Sequence, residues 1–240
     1  MKVLGLDSSG LVASVALVED DNLLAEYTVN YKKTHSQTLL PMLDEIGKMI
    51  QLDLGTIDAI AVAAGPGSFT GLRIGSATAK GLGLALKKPM IPVPTLDALA
   101  YNIFDTDALI CPIMDARRSQ VYTGIYTCKQ GKLEKCMEAC AIGIAELIEK
   151  LNGLGKTVIF LGDGVAVYKN VILDQAKIPV SFASAHVNKQ RASAVAALGI
   201  QYFEEGCQVN AADFRPDYLR KSQAEREREE KEKGSIGEEK

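Results

Sequence analysis

The chain opens with an apolar run that stops at an acid, KVLGLD over residues 2–7, followed by a short polar turn, SSG, and a second apolar run, LVASVALVED. In that second run both alternating rows are apolar or small: Val12, Ser14, Ala16 and Val18 on one side, Ala13, Val15 and Leu17 on the other. A strand covered on both faces has this pattern. LLAEYTVNYKK then alternates as a third strand. From HSQTLLPMLDEIGKMI the apolar period becomes helical, and DAIAVAA, a glycine-rich stretch, MIPV and TLDALAYNIF predict strand, helix, strand and helix in turn.

Near residue 106 the order restarts. LICPIMD again ends in an acid, QVYTGIYTCKQGK and LEKCMEACAI predict strands, and a helix, a strand in TVIFLGDG, a helix and a strand in PVSFA follow. The repeat is one of element order, not of sequence, and it predicts a duplicated α/β lobe: residues 1–106 as the first lobe and 107–220 as the second. A last helix, from about Gln190 to Glu205, is placed where it could pack back on the first lobe. Residues 221–240 carry six basic and seven acidic side chains and almost nothing to bury, which predicts a charged tail, helical or disordered, without chemistry of its own.

Composition narrows the function. With 240 residues, 47% of them hydrophobic, the chain can bury two cores of about a hundred residues each. A net charge of -3 without a basic block gives no footprint for counterion release, so any contact with RNA is expected to be indirect. The first ten residues turn acidic too soon for a signal peptide, and nowhere do eighteen uncharged apolar residues follow one another; the expected location is the cytoplasm, away from membranes. The five cysteines, Cys111, Cys128, Cys136, Cys140 and Cys207, contain no CxxC pair and are expected as reduced thiols. His35 and His186 belong to no HxxxH or HExxH helix, so no metal site is expected.

The glycine-rich stretch AAGPGSFTGLRIGSATAKGLGLAL, residues 63–86, holds six of the 21 glycines. A strand, then Gly65, Pro66, Gly67, Ser68, Phe69, Thr70 and Gly71, then a helix is a context in which backbone N–H groups bind anions. Both standard nucleotide fingerprints fail, however: Gly71 is followed by Leu72 and Arg73 instead of Lys and Ser or Thr, and the spacing is GxGxxxG. Within the helix Gly75, Ala79 and Gly83 form a row of small side chains that lets another backbone approach, either the lobe's own sheet or a second chain. Glycine inside a helix costs about 1 kcal/mol against alanine, so the row needs an offsetting contact. Arg73 lies in the first turn, where the helix dipole disfavours a cation, and is expected to answer a carboxylate, Asp7 or one in a partner.

The helix that begins near Ser36 favours a second chain. Leu39, Met42, Leu43, Ile46, Met49 and Ile50, with Leu40 at one margin, spread over roughly 180° of its surface, whereas a core-facing helix needs little more than about 100°. One lobe is not expected to use the whole arc, and the thioethers of Met42 and Met49 suit an adaptable interface. The sequence therefore predicts a helix–helix interface, homotypic or heterotypic.

The set LGLDSS, HSQTLLPMLDEI, AAGPGSFTGLRIGSATAKGLGLAL, PTLDALA, MDARRSQVY and RPDYLR, in order across residues 1–220, closely resembles the TsaB (YeaZ) family of the tRNA threonylcarbamoyladenosine system, GPGSFTGLRIG and DARRSQVY being its most specific pieces. The resemblance implies two ribonuclease-H-like lobes of the actin, Hsp70 and sugar-kinase (ASKHA) type. It implies a non-catalytic partner of TsaD, the paralogue that transfers the threonylcarbamoyl group to adenosine in tRNA, in a complex joined by the ATPase TsaE and supplied by TsaC. It also implies homodimerisation through the same helices, and contact with tRNA only through the complex. TsaD-like enzymes hold a metal through an HxxxH pair, whereas His35 is followed four residues later by Leu39. In active members of the fold each lobe's first strand ends in an acid followed by small residues open to phosphate. Asp7, Ser8, Ser9 and Gly10 keep that character, but Asp115 and Ala116 lead into Arg117 and Arg118, two long cations expected to pair with carboxylates or lock the lobes. Gly162 and Gly164 stand where an adenosine-contacting pair would lie. The implied set is thus a vestigial nucleotide site at Asp7, Ser8, Asp115, Gly162 and Gly164, no catalytic residue, no metal and no required cofactor, with weak or interface-dependent ATP or ADP binding as the residual chemistry. The alternative is an autonomous ATP-dependent phosphotransferase using Asp7 and Asp115 around magnesium, which Arg117 and Arg118 oppose.

Overall fold

The computed structural model describes residues 1–31 and 35–219; the expected charged tail at 221–240 lies outside the described residues. The first sheet is built from β1 (Lys2–Asp7), β2 (Ala13–Glu19), β3 (Asn22–Val29), β4 (Ala59–Gly65) and β5 (Met90–Pro94), in the order β3-β2-β1-β4-β5. β1, β2 and β3 pair antiparallel, and β4 and β5 add in parallel on the other side of β1. The second sheet repeats this plan with β6 (Thr106–Asp115), β7 (Gln120–Lys129), β8 (Lys132–Gly143), β9 (Val158–Leu161) and β10 (Val180–Phe182), in the order β10-β9-β6-β7-β8. Both lobes are ribonuclease-H-like, and their pairing is the two-lobed plan of actin and the sugar kinases.

The helices are α1 (Leu39–Met49), α2 (Phe69–Leu86), α3 (Thr95–Ala100), α4 (Ile144–Leu154), α5 (Gly164–Gln175) and α6 (Ala192–Glu204). The alternation of each strand decides which helix covers which face. Leu4, Leu6, Ile60, Val62 and Ala64 point to one side of the first sheet and form a core with Leu39, Met42, Leu43 and Ile46 of α1 and Ala79 of α2. Val3, Ala59, Ala61 and Ala63 point to the other side and meet Val195, Ala196 and Leu198 of α6. The small side chains of β4 on that side let α6 sit close, so close that a Cβ on Gly5 would fall 2.3 Å from the Ala192 carbonyl. The last helix therefore covers the first sheet although its residues follow the second.

Its N-terminal end is pinned there. Ser14 Oγ accepts the Ala192 N–H at 2.9 Å, and Glu26 of β3 accepts from the Ser193 hydroxyl at 2.7 Å and from Arg191 Nε at 3.1 Å. Burial alone would raise the Glu26 carboxyl, but these hydrogen bonds outweigh it and hold it below the ordinary range.

The expected helix in TLDALAYNIF ends at Ala100, and all six residues of α3 are buried because it lies between the lobes. Ala98 belongs to the α6 core, while Leu96, Leu99 and Ala100 pack on Ile110, Met114 and Tyr126 of the second sheet. At its centre Asp97 is wholly buried and accepts from Tyr126 Oη of β7 at 2.9 Å and from Tyr202 Oη of α6 at 2.7 Å, and it pairs with Lys135 Nζ of β8 at 3.0 Å. One carboxylate thus collects donors from both lobes. Burial and the Asp97 charge push both tyrosine hydroxyls well above the ordinary tyrosine value, so both remain protonated donors.

Asp97→Ala, which strands these three donors, is expected to lower the unfolding free energy by about 3 kcal/mol or more, with Asp97→Asn intermediate because an amide oxygen still accepts. Urea denaturation measures both, and a loss under about 1 kcal/mol for the alanine variant would show that the carboxylate does not hold the lobes together.

Candidate functional site

The acid that ends β1 and the glycine-rich loop come together at the C-terminal edge of the first sheet. Asp7 is 1% exposed; its Oδ1 accepts from the Ser9 N–H at 2.8 Å and the Ser9 hydroxyl at 2.7 Å, and its Oδ2 is buried without a partner. Desolvation raises its pKa from 3.8 to about 6 against the opposing pull of Ser9 and of His35. His35 Nε2 lies 2.8 Å from the Gly10 carbonyl, so the first of the two histidines braces the same turn.

The loop that follows β4 is filled from within. Ser68 N–H donates to the Ser9 carbonyl at 2.6 Å, and Ser8 Oγ donates to the Gly71 carbonyl at 2.9 Å. A Cβ on Gly71 would lie 2.0 Å from the Ser8 carbonyl oxygen, and one on Gly67 2.4 Å from that of Ser9. The glycines are thus needed where the Ser8–Ser9 backbone presses against the start of α2. What faces the loop is a pair of carbonyl oxygens, acceptors that repel an anion where a phosphate cradle would present N–H donors. The Ser68 hydroxyl caps α2 by accepting the Gly71 N–H at 3.3 Å.

The small row on α2 also faces inward. A Cβ on Gly75 would meet Ser8 Oγ at 2.5 Å, Ala79 is fully buried, and a Cβ on Gly83 would meet the Ala211 side chain at 2.8 Å. Of the two approaches open to the row of Gly75, Ala79 and Gly83, grouped with the interface residues, the structure fits the internal one: the sheet, the Ser8 turn and the segment after α6 occupy that side. On α1 likewise Leu39, Met42, Leu43 and Ile46 lie in the lobe's own core, while Met49 is 83%, Leu40 53% and Ile50 36% exposed. The wide arc is therefore split: its margin at Leu40 and its C-terminal end at Met49 and Ile50 stand outside the core. On these two helices the glycines with nothing near them are two others, Gly47 of α1 and Gly81 of α2.

Arg73 does not reach Asp7. Its guanidinium stacks 4.0 Å above the Phe69 ring, which in turn packs against Tyr218 with centroids 4.8 Å apart. The chain after α6 returns here: Asp217 N–H donates to the Ala64 carbonyl at 2.7 Å, and a Cβ on Gly65 would collide with the Asp217 carbonyl at 2.1 Å. Lys80 holds the same strap through the Ala212 carbonyl at 2.9 Å. The motifs GSFTGLR and RPDYLR, more than a hundred residues apart, are therefore two sides of one contact. Ser68 and Thr70 stay exposed at its rim.

In the second lobe Asp115 Oδ1 accepts from the Arg117 N–H at 2.9 Å and the Tyr168 hydroxyl at 3.1 Å, and Arg117 Nη1 lies 3.5 Å from Oδ2. Arg117 pairs with a carboxylate as expected of it, but within its own turn; its side chain is 88% exposed and joins no lobe to another. Arg117, Arg118 and Ser119 all hold left-handed backbone, with φ of 65°, 55° and 56°. A run of three non-glycine residues there is strained. Gly162 and Gly164 are close-packing glycines: Cβ atoms on them would meet the Ile113 carbonyl at 2.2 and 2.9 Å. Among the described residues no cluster of His, Cys, Asp and Glu could hold a metal, all five cysteines are unpaired thiols, and no helix is long and apolar enough to cross a membrane.

A family model described as TsaD, tRNA N6-adenosine threonylcarbamoyltransferase, matches residues 22–228. The tRNA threonylcarbamoyladenosine biosynthesis protein TsaB of Bacillus subtilis is 36% identical over 225 residues, 94% of this chain and 96% of that protein. Its namesake from Escherichia coli is 29% identical over 93% of this chain and 96% of its own. The solved structure of YeaZ from Pseudomonas aeruginosa matches with a TM-score of 0.74 and 26% identity over 91% of this chain and 99% of that one. A ROK hexokinase from Thermus thermophilus, 14% identical, shares the fold with a TM-score of 0.50 over 86% of this chain and all of its own.

The buried Asp7 gives a signed pH dependence. Because its folded pKa is raised from 3.8 to about 6, the folded chain binds more protons than the unfolded one between those values. Stability therefore falls as pH rises from about 4 to about 6, and the cost, about 3 kcal/mol, is fully present above that window. Asp7→Asn, whose amide oxygen still accepts from Ser9, is expected to flatten that slope and stabilise the chain at pH 7.5, as thermal or urea unfolding across pH would show; an unchanged slope would mean that Asp7 ionises freely in the folded chain.

Proposed function

The chain belongs to the TsaB family, and from that membership we propose that it serves tRNA threonylcarbamoyladenosine synthesis as a non-catalytic scaffold that binds TsaD, and with it TsaE. The observation that carries this reading is the filled turn of the first lobe. A kinase of this fold brings phosphate to the acid that ends the first strand; here that acid is sealed under Ser9, and the loop opposite is occupied by the carbonyls of Ser8 and Ser9. The second lobe adds the strained Asp115–Ser119 turn with its exposed arginines. Neither turn suits phosphoryl transfer by this chain alone, and the threonylcarbamoyl transfer is assigned to TsaD.

Where the partner binds follows from the outward sides of α1 and α2. Glycine in an exposed helix costs about 1 kcal/mol against alanine, and close packing inside the lobe explains Gly71, Gly75 and Gly83 but not Gly47 or Gly81, which face open space. Beside them stand Leu40, Met49 and Leu84, exposed by 53%, 83% and 59%. Two helices that expose glycine backbone next to large apolar side chains suit another pair of helices at close range. Self-association through the same face would compete with TsaD. Location in the cytoplasm, the link to TsaC and contact with tRNA only through the complex belong to the same proposal.

In a mixture of TsaC, TsaD, TsaE, tRNA, threonine, bicarbonate and ATP, modification is expected to require this chain, while the chain alone turns over no ATP; modification at equal rate in its absence would defeat the scaffold reading, and turnover by the chain alone would restore the phosphotransferase. Met49→Glu combined with Leu84→Glu, both at exposed positions, is expected to abolish association with TsaD and lower modification at least tenfold without lowering the melting temperature. Full activity of that variant would place the interface elsewhere.

A further inference from the structure

On the face of the first sheet opposite α1 and α2, a groove of about 630 Å³ runs between the β2–β3 turn, the residues just after α3 and the length of α6 from Ser193 to Glu204. Its floor is apolar, formed by Val18, Leu23, Ala197 and Ile200, with Leu23 left 44% exposed. Its rim is acidic. Asp20 and Asp21 stand at the turn and Glu204 at the end of α6, and no lysine or arginine lines the groove. Asp20 is engaged by the terminal ammonium of Met1, whereas Asp21 and Glu204 have no ion-pair partner among the described residues.

The end of α6 breaks a local electrostatic rule. A helix C-terminus is the negative end of the macrodipole and favours cations in its last turn. Here the last turn holds no basic residue and the helix closes on Glu204 and Glu205, both exposed. The backbone carbonyls of Gln201, Tyr202 and Phe203 are satisfied by the N–H groups that follow, so what the rim leaves uncompensated is side-chain charge, that of Asp21 and Glu204. Within the groove Tyr101 Oη accepts from Gln201 Nε2 at 2.9 Å, which leaves the tyrosine's own proton free to donate to an incoming acceptor such as a backbone carbonyl. RNA is unsuited to such a rim, because its phosphates would be repelled. A bare polyamine would leave the apolar floor wet.

We propose that this groove docks an extended segment of a partner protein that sets an arginine or lysine on Asp21 and Glu204 and an adjacent aliphatic side chain on the Leu23 and Ile200 floor. Lying on the face of the first sheet opposite α1 and α2, it can be occupied while those helices are covered, and it stands whether or not the partner of α1 and α2 is TsaD.

The test is a titration of the isotope-labelled full chain with acetyl-Arg-Leu-Lys-Leu-Arg-amide, followed by amide shifts, beside acetyl-Glu-Leu-Glu-Leu-Glu-amide and spermine. The basic peptide is expected to shift amides of α6 and the β2–β3 turn, more weakly as salt rises, and Asp21→Asn with Glu204→Gln is expected to weaken its affinity at least about tenfold. Because those acids oppose the helix dipole, the double variant should melt no lower than the parent, which separates lost docking from lost folding. The proposal is overturned if the acidic peptide or spermine gives the same shifts with equal affinity, if the shifts map outside the groove, or if the double variant binds as the parent does.

Discussion

A single carboxylate buried between two sheets constrains the rest of this molecule. Asp97 is shut off from solvent, and the groups that satisfy it, Lys135, Tyr126 and Tyr202, come from two strands of the second lobe and a helix on the first. A buried carboxylate deprived of one donor is left uncompensated, so separating the lobes while Asp97 stays buried would be costly. The short, wholly buried α3 follows from this: it must place Asp97 at the centre while turning Ala98 to one core and Leu96 and Leu99 to the other. So does the return of α6, since Tyr202 has to arrive from the end of the chain. The first lobe is in this sense discontinuous, with a helix from residues 192–204 completing a sheet begun at residue 2.

The glycine-rich stretch shows that glycines in a strand–loop–helix turn can serve internal packing. Glycines in a strand–loop–helix turn normally free backbone N–H groups for a ligand. In this chain the same glycines admit the Ser8–Ser9 backbone, and after it the strap at Asp217, so the space has become an internal seam. The buried, partnerless Asp7 Oδ2 lies beside that seam. Arg73 fits the seam too: no carboxylate pairs with it among the described residues, and the face of Phe69, backed by Tyr218, gives the cation an uncharged partner.

Much of the fold was legible in the sequence because each lobe writes its strands as runs apolar on both sides and ends its first strand in an acid. The element order and the start of a second lobe after PTLDALAYNIFDTDA could be read from that alone. What could not be read was direction. The spacing of Gly75, Ala79 and Gly83 shows that something approaches closely, not whether it is a neighbour in the chain, and only the structure turns the row toward Ser8 and Ala211. A signal was present in Gly47 and Gly81, which lie off the apolar rows and so had no core to explain them. The contacts of Phe69 with Tyr218, and of Asp97 with Lys135, join residues whose nearest neighbours in sequence carry no mark of the pairing. The acids at the end of α6 were visible as a broken rule, but their meaning depended on the β2–β3 turn standing beside them.

These features bear on one another. In enzymes of this architecture the lobes must move to admit and enclose a nucleotide, and a charged clamp between them would oppose that motion. In a scaffold the same clamp is useful, because it fixes the angle between surfaces that different partners use. The two surfaces proposed for partners lie on opposite sides of the first lobe's sheet: the apolar, glycine-bearing faces of α1 and α2, and the acidic groove beside α6. The side chains between them are small and closely packed, Gly5 and Ala61 against Ala192, Ala196 and Gly199, and such a layer has little room to deform. A partner on one side would therefore meet a surface whose position is set by the other, so that two proteins could be held at fixed distance without either inducing a change in this chain.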